Sequence, residues 1–117
     1  MSQLIAFEPD LLFSSRIESA AAKAGFSTKI FDSLDKFLQE AKQTTPQVAL
    51  VNLDVAVGKL AALEGLAQSP SCKVVGYHSH VNSSLAEEAQ RIGINAVFPR
   101  GAFANKLEAL LKEFSSG

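Results

Sequence analysis

The sequence predicts an α/β fold, a parallel five-stranded sheet covered by helices on both faces. Three observations carry this. Short apolar runs alternate five times with segments of helical period. The runs are near-continuously apolar, as strands buried on both faces must be. Turn and cap residues such as Gly25, Thr44-Thr45-Pro46, Ser69-Pro70-Ser71 and Gly93 punctuate them. Crossovers between parallel strands are right-handed. Helices on both faces require the strand order to reverse, so a crevice opens beyond the carboxyl ends of the strands.

The elements follow in order. Residues 3–8 form a buried strand ending in an acid and a proline. Leu11, Leu12, Ile17, Ala20, Ala21 and Ala24 recur at helical spacing, and Gly25 closes that helix with a positive φ. Ser27 to Phe31 is the second strand. Asp32 or Ser33 caps a helix with Leu34, Phe37, Leu38 and Ala41 on one face. Val48 to Leu53 is the third strand. Residues 58–68 read as a short helix weakened by Gly65. Lys73 to Tyr77 is the fourth strand, and Asn82 or Ser83 caps a helix over about 84–92. Ala96-Val97-Phe98 is the fifth strand, and Pro99-Arg100-Gly101 turns the chain. Phe103, Leu107, Leu110, Leu111 and Phe114 stripe the last helix, with 115–117 a frayed end.

Composition narrows the function. The 117 residues make one domain, 1–117, able to bury a core without disulfides or metal. A net charge of −1 gives no electrostatic footprint for nucleic acid. The apolar runs fall well short of the roughly 20 residues that span a membrane. The sequence enters its first strand directly, which predicts no secretion signal. The single cysteine, Cys72, fits a reducing, cytoplasmic setting. It is expected to be half-buried rather than a reactive thiol. Gly58-Lys59 is not a phosphate-binding loop, because no glycine precedes it at the required spacing.

The residues to weigh are therefore those at strand ends: Glu8, Asp10, Asn52, Asp54, His78 and Arg100. Together with the order of elements, their spacing resembles the receiver domain of bacterial two-component response regulators (CheY-like), over roughly residues 3–114. The resemblance implies a flavodoxin-like, doubly wound (βα)5 fold with strand order 2-1-3-4-5. It also implies a phosphoacceptor aspartate after strand 3, Mg²⁺ on an acidic pair after strand 1, a Thr or Ser after strand 4 and a Lys after strand 5.

Residue by residue, the chemistry is missing. Glu8 matches the first acid of the pair, but Pro9 stands at the second and offers only a backbone carbonyl. Asn52, six residues after Pro46, stands at the phosphoacceptor. His78 stands at the Thr or Ser. Arg100 stands at the Lys, followed by Gly101 where the family has a proline. An amide is no acyl-phosphate nucleophile, and Glu8 alone is expected to hold Mg²⁺ weakly or not at all. Asp10 is expected to cap the first helix. Arg100 either pairs with Glu8 across the crevice or lies in solvent.

Asp54 is the alternative phosphoacceptor. It shares a strand face with Asn52 but lies about 6–7 Å further along. It serves as nucleophile only if the strand ends late; otherwise it caps the helix starting near Gly58. His78 and His80 form an H-x-H pair, a weak metal signal beside loop histidines bonded to backbone or water. The expectation is a pseudo-receiver with no enzymatic activity and no cofactor. It would act in signalling by phosphorylation-independent protein–protein contact. The resemblance places those contacts on the face of helix 4, strand 5 and helix 5, with a homodimer among the options and neither nucleic acid nor membrane as partner. An active phosphotransfer domain built on Asp54, Glu8 and Asp10 is the rival. A sensor binding a small anion near His78 and Arg100 is a third reading.

Overall fold

The computed structural model describes residues 2–56, 58–79, 83–94 and 96–116. Five parallel strands run in the order β2-β1-β3-β4-β5: β1 (Gln3–Phe7), β2 (Ser27–Phe31), β3 (Val48–Asn52), β4 (Lys73–His78) and β5 (Ala96–Pro99). The helices are α1 (Leu11–Lys23), α2 (Leu34–Thr44), α3 (Glu64–Ala67), α4 (Ser83–Arg91) and α5 (Arg100–Ser116). Short 3-10 turns at Leu53–Val55 and Leu60–Leu63 lie between β3 and α3. This is the flavodoxin-like (βα)5 arrangement that the resemblance implies, built on the doubly covered parallel sheet that the sequence predicts. Because β1 and β3 are neighbours at the centre, the order reverses there and the crevice lies over their carboxyl ends.

Strand alternation divides the core into two layers. Leu4 and Ala6 of β1 join Val48 and Leu50 of β3 beneath α1 and α5, with Phe13, Ile17, Phe103 and Leu107. Ile5 and Phe7 join Ala49 and Val51 on the other face, with Phe37, Leu60, Leu63 and Ile92. β3 is buried at all five positions, as the central strand of a two-sided sheet must be.

Several expectations need correcting at their edges. Leu11 and Leu12 do not face the core; each is 82% exposed. The buried stripe of α1 is Phe13, Ile17, Ala20 and Ala21. At about 100° per residue, the two leucines fall off the phase set by Phe13. Leu53 leaves β3 and starts the 3-10 turn. The segment after Gly58 forms a 3-10 turn and then one α-helical turn, because Gly65 and short loops give it little intrinsic helicity. No turn separates β5 from α5: the helix begins at Arg100 and runs to Ser116, and the apolar contacts of Phe103, Leu107 and Leu111 carry it past the expected frayed end. Ser33, rather than Asp32, caps α2 by accepting from the Lys36 N–H. Gly25 takes a φ of 87° just past the end of α1. Ser83 begins α4; Asn82, the other candidate cap, lies outside the described residues. Cys72 is buried, 7% exposed, and burial pushes its thiol up to about 11, which leaves little thiolate at neutral pH.

One close approach seats the strand end that matters most. A Cβ on Gly76 of β4 would lie 2.8 Å from Leu53 Cδ1 and 3.0 Å from its Cγ. Leu53 is wholly buried and follows Asn52 directly, so the missing side chain at Gly76 lets the chain turn sharply after β3. Gly76→Ala should therefore destabilise the fold by about 1–3 kcal/mol through overpacking. A urea titration of Gly76→Ala checks this, and trimming Leu53 to Ala in the same chain should make the glycine substitution nearly neutral.

Candidate functional site

The crevice is built on Glu8, the residue after β1, whose side chain is 2% exposed. A carboxylate so buried must be surrounded by donors. The Tyr77 hydroxyl donates to Glu8 Oε1 at 2.7 Å. The Asn52 amide Nδ2 lies 3.1 Å from both Glu8 oxygens. The Asp10 backbone N–H donates to Oε2 at 3.0 Å. The other end of the Asn52 amide is used as well, because Oδ1 accepts from the Asp54 N–H at 3.0 Å and caps the 3-10 turn. Every buried side-chain nitrogen and oxygen among the described residues has a partner. Asn52 is thus both a donor to the acid and an acceptor for the loop, a pairing that no carboxylate could make.

Tyr77 is the site residue that the sequence reading passed over. It lies one position before His78 and pairs in register with Asn52. Its ring stacks on Phe103 at 4.4 Å and touches Phe13 at 5.3 Å, so the hydroxyl is held at one point. The available signal was the alternation of β4: a tyrosine facing an apolar layer brings a hydroxyl that must find a partner. Burial first, then the hydrogen bond to Glu8, push its ionisation well above the usual phenol range.

Arg100 does not pair with Glu8, nor does it lie free in solvent. Its Nη2 donates to Asp10 Oδ2 at 2.9 Å, and its guanidinium sits 4.4 Å over the Phe13 ring. The reason is geometric: Glu8 is sealed below by its own donors, while Asp10 stands at the rim. Asp10 caps α1 as expected, accepting from Leu12 N–H at 3.0 Å. The Arg100 hydrogen bond first, and that backbone bond second, hold its carboxyl below the usual range. The stabilisation it adds is present at neutral pH and fades as pH falls through the lowered value.

Asp54 is half-buried in the turn after β3 and does not cap the Leu60–Leu63 turn, whose first residues carry no side-chain cap. Its Oδ2 accepts instead from the Ser79 N–H at 2.7 Å and ties the loop after β3 to the loop after β4. Pro9 is exposed, and His78 ends β4 half-buried beside Pro99. His80 lies outside the described residues. No group of three or more His, Cys, Asp or Glu among the described residues is arranged to hold a metal ion. No helix among them is long and apolar enough to cross a membrane.

No protein-family model matches the sequence, and no curated protein matches it either. Solved structures do match the fold. A response regulator from Thermotoga maritima superposes with a TM-score of 0.82 at 13% identity, covering 100% of this chain and 99% of that one. A Burkholderia pseudomallei response regulator with a phosphorylated aspartic acid and a calcium ion gives 0.80 at 14%, over 99% of this chain and 69% of that one. A putative pilus assembly protein from Burkholderia thailandensis E264 gives 0.76 at 19%, over 100% of both chains. At these identities the likeness establishes the receiver fold and leaves function to the site.

Two tests follow. The chain has one tyrosine and no tryptophan, so near-ultraviolet phenolate absorbance reports Tyr77 alone. Its raised folded value means that its stabilisation is complete below the unfolded phenol pKa of about 10 and is lost as pH climbs beyond. The phenolate signal should therefore appear only together with unfolding, followed by circular dichroism, rather than as an independent titration. Asn52→Asp would set two carboxylates about 3 Å apart, a spacing at which both cannot ionise. Because the folded pair must share a proton that the unfolded chain does not hold at neutral pH, that variant should lose about 3 kcal/mol there and regain stability as pH falls toward about 5. Thermal melts of the variant at both pH values check this.

Proposed function

We propose that this chain is a pseudo-receiver, a module that uses the receiver fold for protein–protein interaction in signalling and does not carry a phosphoryl group. The observation that supports it most is the Asn52 amide hydrogen-bonded to both oxygens of Glu8. The amide takes the place of the nucleophile and donates to the very carboxylate that a cation would need. Mg²⁺ favours several charged oxygens in near-octahedral geometry. Glu8 is already saturated by donors, Asn52 Oδ1 is engaged by the Asp54 N–H, and Pro9 adds no carboxylate. This donor set fits Mg²⁺ poorly, so binding is weak or absent.

The loops above the crevice are also tied to one another, through Asp10–Arg100 on one side and Asp54–Ser79 on the other. A receiver that signals by phosphorylation needs two arrangements of such loops; cross-ties favour one. The pilus assembly protein shows that the same fold occurs in a protein not named as a response regulator. On this reading the protein is not an enzyme, works in the cytoplasm, and meets its partner through surface rather than chemistry. The α4–β5–α5 face, which receivers commonly use, is one such surface and would also serve a homodimer.

Asp54 carries the alternative, as a carboxylate two residues beyond Asn52. A backbone amide NMR titration separates the two readings. With millimolar Mg²⁺ and then beryllofluoride, the amides of Glu8, Asp10, residues 52–54, residues 77–78 and Arg100 should stay in place. Saturable shifts there that vanish in Asp54→Ala would establish the displaced phosphoacceptor and overturn the pseudo-receiver.

A further inference from the structure

The helical layer over one face of the sheet is incomplete. α3 is a single turn, Gly65 in it has no side chain, and a Cβ built there would meet nothing within 4 Å. Between α2 and α3 this leaves a groove of about 320 Å³. Its walls include Leu38, Ala41, Pro46 and Leu66, and Cys72 also lines it. Leu38, Ala41 and Leu66 pack on the buried layer beneath yet remain only partly covered, so the groove is a place where the core is left unsealed.

Two features define what fits. The volume is at the bottom of the range of roughly 300–1,000 Å³ typical for small-molecule sites, and such sites present a few converging polar groups. Here no buried side-chain polar atom among the described residues is left without a partner to fix such a ligand. The groove is sized for one or two apolar side chains. The single charged residue lining it is Lys42, in the last turn of α2, and no carboxylate among the described residues pairs with it. The charge sought on the occupant is therefore negative.

We propose that the α2–α3 groove is the docking site for a segment of a partner protein that inserts leucine-like side chains flanked by carboxylates, one of them meeting Lys42. This rests on the interaction-module reading and places a contact on the layer opposite α1 and α5. Burial of the apolar anchor supplies affinity, and the lysine supplies selection and orientation.

The probe is a capped peptide of two leucines flanked by glutamates, titrated against the ¹⁵N-labelled full chain. Saturable shifts should centre on Leu38, Ala41, Lys42, Leu66 and Cys72. Lys42→Glu should weaken binding about tenfold, and the lysine-flanked peptide should bind the natural chain comparably less well. Gly65→Leu should fill the groove and abolish binding while the melting temperature is kept or raised, since the new side chain enters open space. Absence of saturable shifts at millimolar peptide, shifts centred elsewhere, or indifference to both substitutions would overturn the proposal. So would saturation of the groove by octanoate with the peptide silent, which would reassign it to a small amphiphile. Failure here is distinct from failure of the pseudo-receiver reading, which only the Mg²⁺ and beryllofluoride titration decides.

Discussion

A buried carboxylate is the constraint around which the crevice is organised. Glu8 sits at the carboxyl end of β1 almost without solvent, and such a group stays in a fold only if donors replace the water it loses. The chain supplies them from three directions: β3 through Asn52, β4 through Tyr77, and the start of α1 through the Asp10 N–H. Each donor is held in turn. Leu53 packed against Gly76 fixes the residue after Asn52, the Phe103 stack fixes Tyr77, and the Asp10 cap fixes the first turn of α1. Removing one of these donors would leave charge uncompensated in a low-dielectric site, so the network acts as a unit.

The residues at the strand ends form a consistent set around Glu8. Pro9 brings no second carboxylate beside Glu8. Asn52 converts an acceptor position into a donor that also accepts from its own loop. Arg100 is taken up by Asp10 and Phe13 at the rim, leaving the interior to neutral donors. Consistency of this kind across several residues is what a settled native structure requires.

The fold was legible in the sequence because its signals are local and repeated. Buried strands show as continuous apolar runs, and helix ends show as Gly25, Ser33 and Asp10. The place of Asn52 at the end of β3 was equally legible, because it needs only its position relative to Pro46. What stayed hidden depended on side-chain reach. Nothing in a linear reading tells whether the Arg100 guanidinium prefers Glu8 or Asp10, since burial of one and exposure of the other decide it. The same holds for Tyr77, which a strand pattern marks only as core. Leu11 and Leu12 misled for the opposite reason: apolar residues at a helix start look like core until the phase of Phe13 and Ile17 is known.

The Glu8 contacts also span long stretches of chain. Asn52 lies 44 residues from Glu8, and Tyr77 lies 69 residues from it. Contacts so distant carry the full entropy of loop closure and form only when β1, β3 and β4 already lie side by side. They are expected to be weak in the folding transition state and strong in the native state. Interactions of that kind do little to speed folding and act mainly by slowing unfolding. The polar centre of this domain is then a brake on opening: it would set how long the crevice stays shut, and so the lifetime of the surface the fold presents, rather than how fast that surface is made.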